Sequence, residues 1–136
     1  NSAVDVVLTT IDQDYQILAF TANGQSNLTT PDHTEDHITI TKTGIYLVSF
    51  TISCKSAAAV DVSTLVKKNN GATGHDNSDI HFDLLAGGKN VTGMTTCILS
   101  LTANDTIEVW MHRNDGATAK TVTVDHCNLN VTQIGG

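Results

Sequence analysis

Two segments of the sequence alternate between apolar and polar residues with a period of two. In the first, which opens at Gly44, the residues Ser49, Thr51 and Ser53 share one side of an extended chain. Alternation of this length, rich in β-branched and aromatic residues, predicts a strand that is buried on one face. The apolar residues on the other side are Tyr46, Val48, Phe50, Ile52 and Cys54.

The second segment, residues 99–111, contains two alternating stretches joined by Ala103-Asn104-Asp105. A short polar connection between two alternating stretches is typical of an antiparallel hairpin. We therefore predict that these two strands pair with each other.

The rest of the chain alternates in the same way between turn residues such as Asn69-Asn70-Gly71 and Asn114-Asp115-Gly116. No stretch shows a convincing helical period of 3.6 residues. Short strands at this spacing predict an all-β fold, a ten-stranded antiparallel jelly-roll sandwich that spans residues 1–136 as one domain. The predicted strands are Val4–Thr9, Tyr15–Phe20, His37–Thr41, Ile45–Lys55, Val60–Lys67, Ile80–Leu85, Thr92–Leu101, Thr106–His112, Lys120–Val124 and Cys127–Ile134.

Composition narrows the classes of partner. Seven basic residues against fourteen acidic ones give a net charge of −7. Nucleic-acid binding is disfavoured, because neutralising phosphates needs clustered Lys and Arg. No apolar run approaches the length of a membrane span, so we expect no membrane insertion. The low charged fraction of 15%, with abundant Thr and Asn, is typical of an extracellular, cell-surface or virion-surface protein.

Four features, in order along residues 38–134, carry a resemblance to a known superfamily. Gly44–Phe50 resembles its glycine-x-tyrosine-x-phenylalanine strand, and Val62–Gly71 resembles its strand that ends in a lysine-asparagine-glycine turn. Leu99–Val109 and the terminal stretch Cys127–Ile134 are similar to its last strands. The chain thus resembles the tumour-necrosis-factor/complement globular-head superfamily of jelly rolls. Its many Asn and Thr and its few aromatic residues make it more similar to bacterial and bacteriophage head domains than to animal members.

The resemblance implies a homotrimer in which one sheet of each sandwich faces a three-fold axis. The residues agree with this, because a monomeric sandwich needs only one apolar face per strand. Ile45 and Leu47 are apolar on the side opposite the predicted core face, and so is Trp110 on its own strand. We predict these three residues at the trimer interface; a place in the core or in contact with a ligand remains open for Trp110.

The three cysteines, Cys54, Cys97 and Cys127, lie within apolar alternation and are read as small buried hydrophobic residues. The superfamily arrangement adds an alternative. It places the strand at residues 45–55 antiparallel to the terminal strand, which would bring Cys54 close to Cys127. The resemblance therefore implies a candidate Cys54–Cys127 disulfide.

Candidate binding chemistry lies in polar segments outside the core pattern. Carboxylate oxygens suit calcium, and Asp76, Asp79 and Asp83 are candidate ligands for it; a solvated acidic loop is the alternative. Apart from calcium, no cofactor is expected. Loops on a rigid sandwich commonly carry binding residues, so we also predict recognition by the loops 21–36, 69–79 and 113–119. The candidate ligand-binding residues there are His75, Asp76, Asn77, Asn114 and Asp115.

The sequence contains no nucleophile elbow, no zinc-protease motif and no phosphate-binding loop, and we predict that the protein is not an enzyme. The expected function is that of a trimeric globular head on a surface or virion fibre or on a collagen-like protein. Such a head locks three chains together and binds a cell-surface protein or glycan through its loops. The alternatives are a purely structural trimerisation or capping module, and a secreted cytokine-like ligand.

Overall fold

The computed structural model describes residues 3–136, which form two antiparallel β-sheets and no helix within that range. The predicted all-β antiparallel sandwich is confirmed. The strands are β1 (Val4–Leu8), β2 (Tyr15–Gln16), β3 (Thr29–Asp32), β4 (His37–Ile40), β5 (Gly44–Lys55), β6 (Val60–Lys68), β7 (Thr73–Leu84), β8 (Val91–Leu101), β9 (Thr106–Arg113) and β10 (Lys120–Gly135).

The chain passes back and forth between the two sheets, as in a jelly roll. The four-stranded sheet has the order β1-β10-β5-β8. The six-stranded sheet has the order β3-β4-β9-β6-β7, with β2 paired to β9. Because β5 lies between β10 and β8, the apolar face found in the sequence occupies the centre of the four-stranded sheet.

The predicted hairpin at residues 99–111 is wrong. β8 pairs with β5, whereas β9 pairs with β4 and β6 in the other sheet. The turn between them crosses the edge of the core, and the N–H of Asn104 donates to the carbonyl of Ile40 at 2.7 Å. Alternation shows that each strand buries one face, but it does not show whether the two strands share a sheet.

Strand β3 was not predicted, because its residues are polar and include Pro31. Proline lacks the N–H that a central strand needs, but it is tolerated in edge strands, and β3 is an edge of the six-stranded sheet. The predicted strand at residues 15–20 is much shorter in the structure, since only Tyr15 and Gln16 pair with β9.

Two other boundaries differ from the prediction. β7 begins at Thr73, so much of the segment 69–79, expected to be a loop, is strand. The stretches 120–124 and 127–134, expected to be separate strands, are parts of β10, which shifts register between Val124 and His126. A β-bulge at this point keeps the strand continuous while it changes the alternation that the sequence shows.

The hydrophobic core lies between the sheets. On β5, the side chains of Tyr46, Val48 and Ile52 are fully buried, and they face Ile107 and Val109 from β9 of the opposite sheet. Burying a side chain of this size contributes about 1.5 to 3 kcal/mol. The inward face of β5 therefore anchors the four-stranded sheet to its partner.

The candidate disulfide is not formed: Cys54, Cys97 and Cys127 are all free and buried. Cys54 lies opposite Val124, and Cys127 lies opposite Ile52, so the register does not place the two cysteines across from each other. Burial raises the pKa of Cys54 to about 11 and that of Cys127 to about 12. These thiols act as small apolar core residues, as the sequence reading proposed.

Strand β8 passes close to β7 at Gly93, where a Cβ would lie 2.7 Å from Cζ of Phe82. Because Phe82 is buried, we expect Gly93→Ala to lower the free energy of unfolding by about 1 to 3 kcal/mol. Urea denaturation measures the change. Gly24→Ala is the control, since a Cβ there meets nothing within 4 Å. Equal stability of both variants would contradict this close packing.

Candidate functional site

The outward face of the four-stranded sheet is apolar at one end. Ile45 and Leu47 project from β5 with 39% and 37% of their surface exposed, while Ile98 and Ile134 are more than half exposed. Leu47 lies opposite Ile98 on one side and Thr132 on the other. We call the four residues Ile45, Leu47, Ile98 and Ile134 the apolar patch. Such a cluster on an exposed sheet marks a candidate interaction surface.

Trp110 does not lie on this patch. It projects from β9 in the other sheet, where it is partly covered by its own chain. A Cβ on Gly71 would lie 2.9 Å from Cζ2 of Trp110, and Nζ of Lys67 sits 5.5 Å from the ring centroid. The structure therefore separates Trp110 from Ile45 and Leu47, with which it was grouped.

A buried carboxylate holds the turn that covers Trp110. The side chain of Glu108 accepts hydrogen bonds from the backbone N–H groups of Asn70 (3.2 Å) and Gly71 (3.3 Å) and from the hydroxyl of Thr106. It also accepts a bond from Nε1 of Trp110 at 3.4 Å. Asn70 and Gly71 both have positive φ, so the carboxylate stabilises a turn with a left-handed backbone.

We expect Glu108→Gln to lower the free energy of unfolding by about 1.5 to 3 kcal/mol. Both oxygens of the carboxylate accept hydrogen bonds from these donors, whereas an amide has only one oxygen that can accept. Thermal or urea denaturation measures the loss. Glu35→Gln is the matched control, since the side chain of Glu35 is exposed and makes no hydrogen bond within residues 3–136. A Glu108→Gln variant as stable as this control would contradict the role given to the carboxylate.

A polar cluster lies on the outward face of the six-stranded sheet. Nε2 of His81 is 2.6 Å from Oδ1 of Asp61, and the side-chain amide of Asn114 donates to Asp61 at 3.0 Å and to Ser63 at 3.2 Å. Ser, His and Asp together are the residue types of a nucleophilic triad. However, the hydroxyl of Ser63 lies 3.4 Å from Nδ1 of His81, and this serine is only 3% exposed.

The predicted ligand-binding residues divide into two groups. His75, Asp76 and Asn77 belong to strand β7, and His75 lies opposite Val66. Asn114 and Asp115 lie in the loop after β9, beside Asp61. Asp61 and Val66 are five residues apart on one strand, roughly 16 Å, so the two groups do not form one site.

The loop that carries Asn114 and Asp115 is held by Arg113. This buried guanidinium donates to the carbonyls of Asp115 (2.6 Å), Gly116 (2.5 Å) and Thr9 (3.2 Å). Backbone carbonyls thus satisfy most of its donors. The loop is therefore anchored at its start rather than projecting freely from the sandwich.

The candidate calcium ligands do not meet. Asp76, Asp79 and Asp83 lie along strand β7, which bulges between His75 and Ile80. His75, beside Asp76, lies opposite Val66, and Asp83 lies opposite Asp61, five residues or roughly 16 Å further along β6. Calcium needs its oxygen ligands at about 2.3 to 2.6 Å, which these carboxylates cannot provide together. Within residues 3–136, no group of three or more His, Cys, Asp or Glu is placed to hold a metal ion.

A cleft of about 680 Å³ opens between the segment 20–38 and strand β10. We call it the β10 cleft. One wall is the part of β10 from His126 to Thr132, and the other is formed by the segment that runs from Phe20 to Ile38. The sequence gives no sign of this cleft, because its walls are about a hundred residues apart along the chain and neither contains a motif.

The loop 21–25 is fixed at the mouth of the cleft by Asn23. Its Oδ1 accepts the backbone N–H of His33 at 2.8 Å and lies 3.2 Å from Nδ1 of the same histidine. At the base of this segment, the buried carboxylate of Asp36 accepts the N–H of Phe20 at 2.8 Å. Burial raises the pKa of Asp36. Two side chains thus connect the ends of the segment that forms this wall.

Asp105 links the β8–β9 turn to the end of β6. Burial opposes its ionisation, but hydrogen bonds from the N–H of Thr102 (2.9 Å), from Asn69 (2.9 Å) and from Lys68 (3.3 Å) outweigh it and lower its pKa below 3.8. A lowered pKa in the folded state contributes stability above the unfolded-state pKa, and this contribution is lost as the pH falls through the folded-state value.

We therefore expect Asp105→Asn to be less stable than the parent at about pH 6, and the difference to shrink as the pH falls below about 3.8. Urea midpoints measured across this range test the expectation. Asp83→Asn corrects for the loss of one negative charge, because the exposed side chain of Asp83 makes no hydrogen bond or ion pair within the described residues. A difference that stays constant down to low pH would contradict it.

The two-sheet fold of this chain is similar to that of solved structures. The globular domain of zebrafish complement 1qA aligns over 98% of this chain and 98% of its own, with a TM-score of 0.54 and 17% identity. Murine APRIL at pH 5.0 aligns over 90% of this chain and 97% of its own, with a TM-score of 0.55 and 12% identity. The structure of the same protein at pH 8.0 aligns over the same shares of both chains, with a TM-score of 0.54 and 12% identity. At these identities the likeness shows the fold.

No protein-family model and no curated protein sequence matches the chain. Within residues 3–136 no helix is long and apolar enough to cross a membrane.

Proposed function

We propose that the protein is a homotrimeric globular head domain that acts outside the cell and binds a surface partner. The observation that supports this most strongly is the apolar patch. Its four residues share the outward face of the same sheet although they come from three strands, β5, β8 and β10. The fold that the chain shares with the complement globular domain and with APRIL agrees with a head domain.

A closed trimer gives these residues a buried environment. In a three-fold ring every copy offers the same two surfaces, one to each neighbour, so a single patch is covered in all three copies. Covering the exposed part of each patch residue contributes about 1 kcal/mol. We propose Ile45 and Leu47 for this interface, as the sequence suggested, and add Ile98 and Ile134 to them; Trp110, on the other sheet, lies outside the apolar patch.

The binding role falls to the surfaces beside the interface. Three copies locked together present three β10 clefts and three copies of each loop, which strengthens weak contacts with a surface that carries many ligands. We propose no catalytic role. The resemblance to bacterial and bacteriophage heads, and a virion location, remain proposals that rest on composition.

A purely structural trimerisation module is the second candidate, and the same patch would serve it. A trimer whose clefts and loops bind nothing on a cell surface would favour this candidate. A cytokine-like ligand is a further proposal, for which the likeness of fold to APRIL is the support.

We expect Leu47→Glu to dissociate the trimer into monomers at micromolar concentration, because a buried carboxylate without a partner costs several kcal/mol. Light scattering coupled to size-exclusion chromatography measures the mass. Circular dichroism establishes that the variant is folded.

Leu18→Glu is the matched control for this change. Leu18 is 56% exposed but follows β2, which belongs to the six-stranded sheet, so it should not alter the mass. A parent chain that is already monomeric, or a Leu47→Glu variant that remains trimeric, would overturn the proposed interface.

A further inference from the structure

We infer that the β10 cleft is a binding site for an uncharged saccharide. This names a ligand class for the binding role proposed above, and it rests on that role. A volume of about 680 Å³ lies within the usual range for small-molecule sites and accommodates one or two sugar rings.

The wall formed by β10 carries an oriented pair of amides. Asn128 and Asn130 both lie on the outward face of the strand, about 7 Å apart, with the buried Leu129 between them. Nδ2 of Asn130 donates to Oδ1 of Asn128 at 3.2 Å. This bond fixes the direction of both groups, and it leaves the NH₂ of Asn128 and the carbonyl oxygen of Asn130 without another partner among the described residues. Thr51, opposite Asn128, adds a hydroxyl to the same surface.

A donor beside an acceptor suits a ligand rich in hydroxyl groups, because each hydroxyl both donates and accepts. The facing wall adds a further donor. Oδ1 of Asn23 is occupied by His33, which leaves the NH₂ of Asn23 available at the cleft. Amides from both walls thus line the cleft, where they can bind the hydroxyls of a sugar.

The charge of the cleft favours a neutral ligand. No Lys, Arg or Glu lines it, although the chain as a whole is acidic, and its basic side chains are the three histidines His33, His37 and His126. Its one carboxylate, that of Asp32, accepts from the hydroxyl (2.6 Å) and the N–H (2.9 Å) of Thr34. These bonds lower the pKa of Asp32, so it stays an acceptor at neutral pH. A phosphate or a carboxylate would therefore find no cationic Lys or Arg partner there.

The inner end of the cleft is apolar. The ring of Phe20 is half-buried against the core, and Leu129 and Cys127 are nearly covered. The C–H face of a sugar packs on an aromatic or aliphatic surface while its hydroxyls bond to the rim. An extended peptide would need separate pockets for alternate side chains, whereas this cleft combines one small apolar region with many polar groups.

The test is saturation-transfer NMR of the full chain with a panel of neutral sugars: glucose, galactose, mannose, fucose and N-acetylglucosamine, with their common disaccharides. We expect at least one to receive saturation and to shift the side-chain amide signals of Asn128 and Asn130. Asn128→Ala and Asn130→Ala should each weaken binding about tenfold, the effect of one lost hydrogen bond. Asn90→Ala, in the exposed connection between β7 and β8 outside the cleft, should leave the affinity unchanged.

Absence of binding across the panel would overturn the inference, as would binding that survives both substitutions at β10. Binding of neutral extended peptides in place of any sugar would overturn the ligand class. The same sugar-binding measurement on the Leu47→Glu variant distinguishes this inference from the proposed trimer. If the parent chain is monomeric but binds sugar at the cleft, only the proposed trimer is wrong. If it is trimeric but binds no sugar, only the proposed saccharide site is wrong.

Discussion

The structure depends on the fact that β5 is buried on one face and exposed on the other. Its inward residues, among them Tyr46, Phe50 and Ile52, are 0–1% exposed and join the four-stranded sheet to the six-stranded sheet. Because side chains alternate along a strand, fixing this face also fixes what the other face presents. A shift of one residue would place Ile45 and Leu47 in the core and Tyr46 in water.

The outward face of the same sheet changes character along its length. Near the C-terminal end of β10 it carries the apolar patch, and further along Asn128, Asn130 and Thr51 present amides and a hydroxyl beside the exposed Met94. Thr132, opposite Leu47, lies at the boundary. The two ends suit two tasks, since apolar groups gain most from contact with another copy and oriented amides from contact with a polar ligand.

The sequence predicted the fold well where alternation was strong, as in β5 and β8, because burial of one face leaves a direct trace in residue type. It failed where the same alternation fits two arrangements, as at residues 99–111, where two strands predicted to form a hairpin belong to different sheets. It also missed β3, which is stabilised by pairing with β4 rather than by apolar residues. The bulge near Asp125 made one strand resemble two.

The candidate sites were harder to predict, because they depend on register and on distances between sheets. Grouping Asp76, Asp79 and Asp83 assumed one loop, whereas they are distributed along strand β7, partly in its bulge and partly beyond it. The support of the β6–β7 turn by Glu108 and the β10 cleft needed three-dimensional contacts between distant segments. In the sequence, Glu108 appears only as a polar residue within an alternating strand.

The most direct test of the account is the mass of the unaltered chain in solution, measured by sedimentation equilibrium over a range of concentrations. We expect a species of three chains, each of 14.4 kDa, that persists on dilution into the micromolar range. A single species of 14.4 kDa at all concentrations would contradict it, because the apolar patch would then face water.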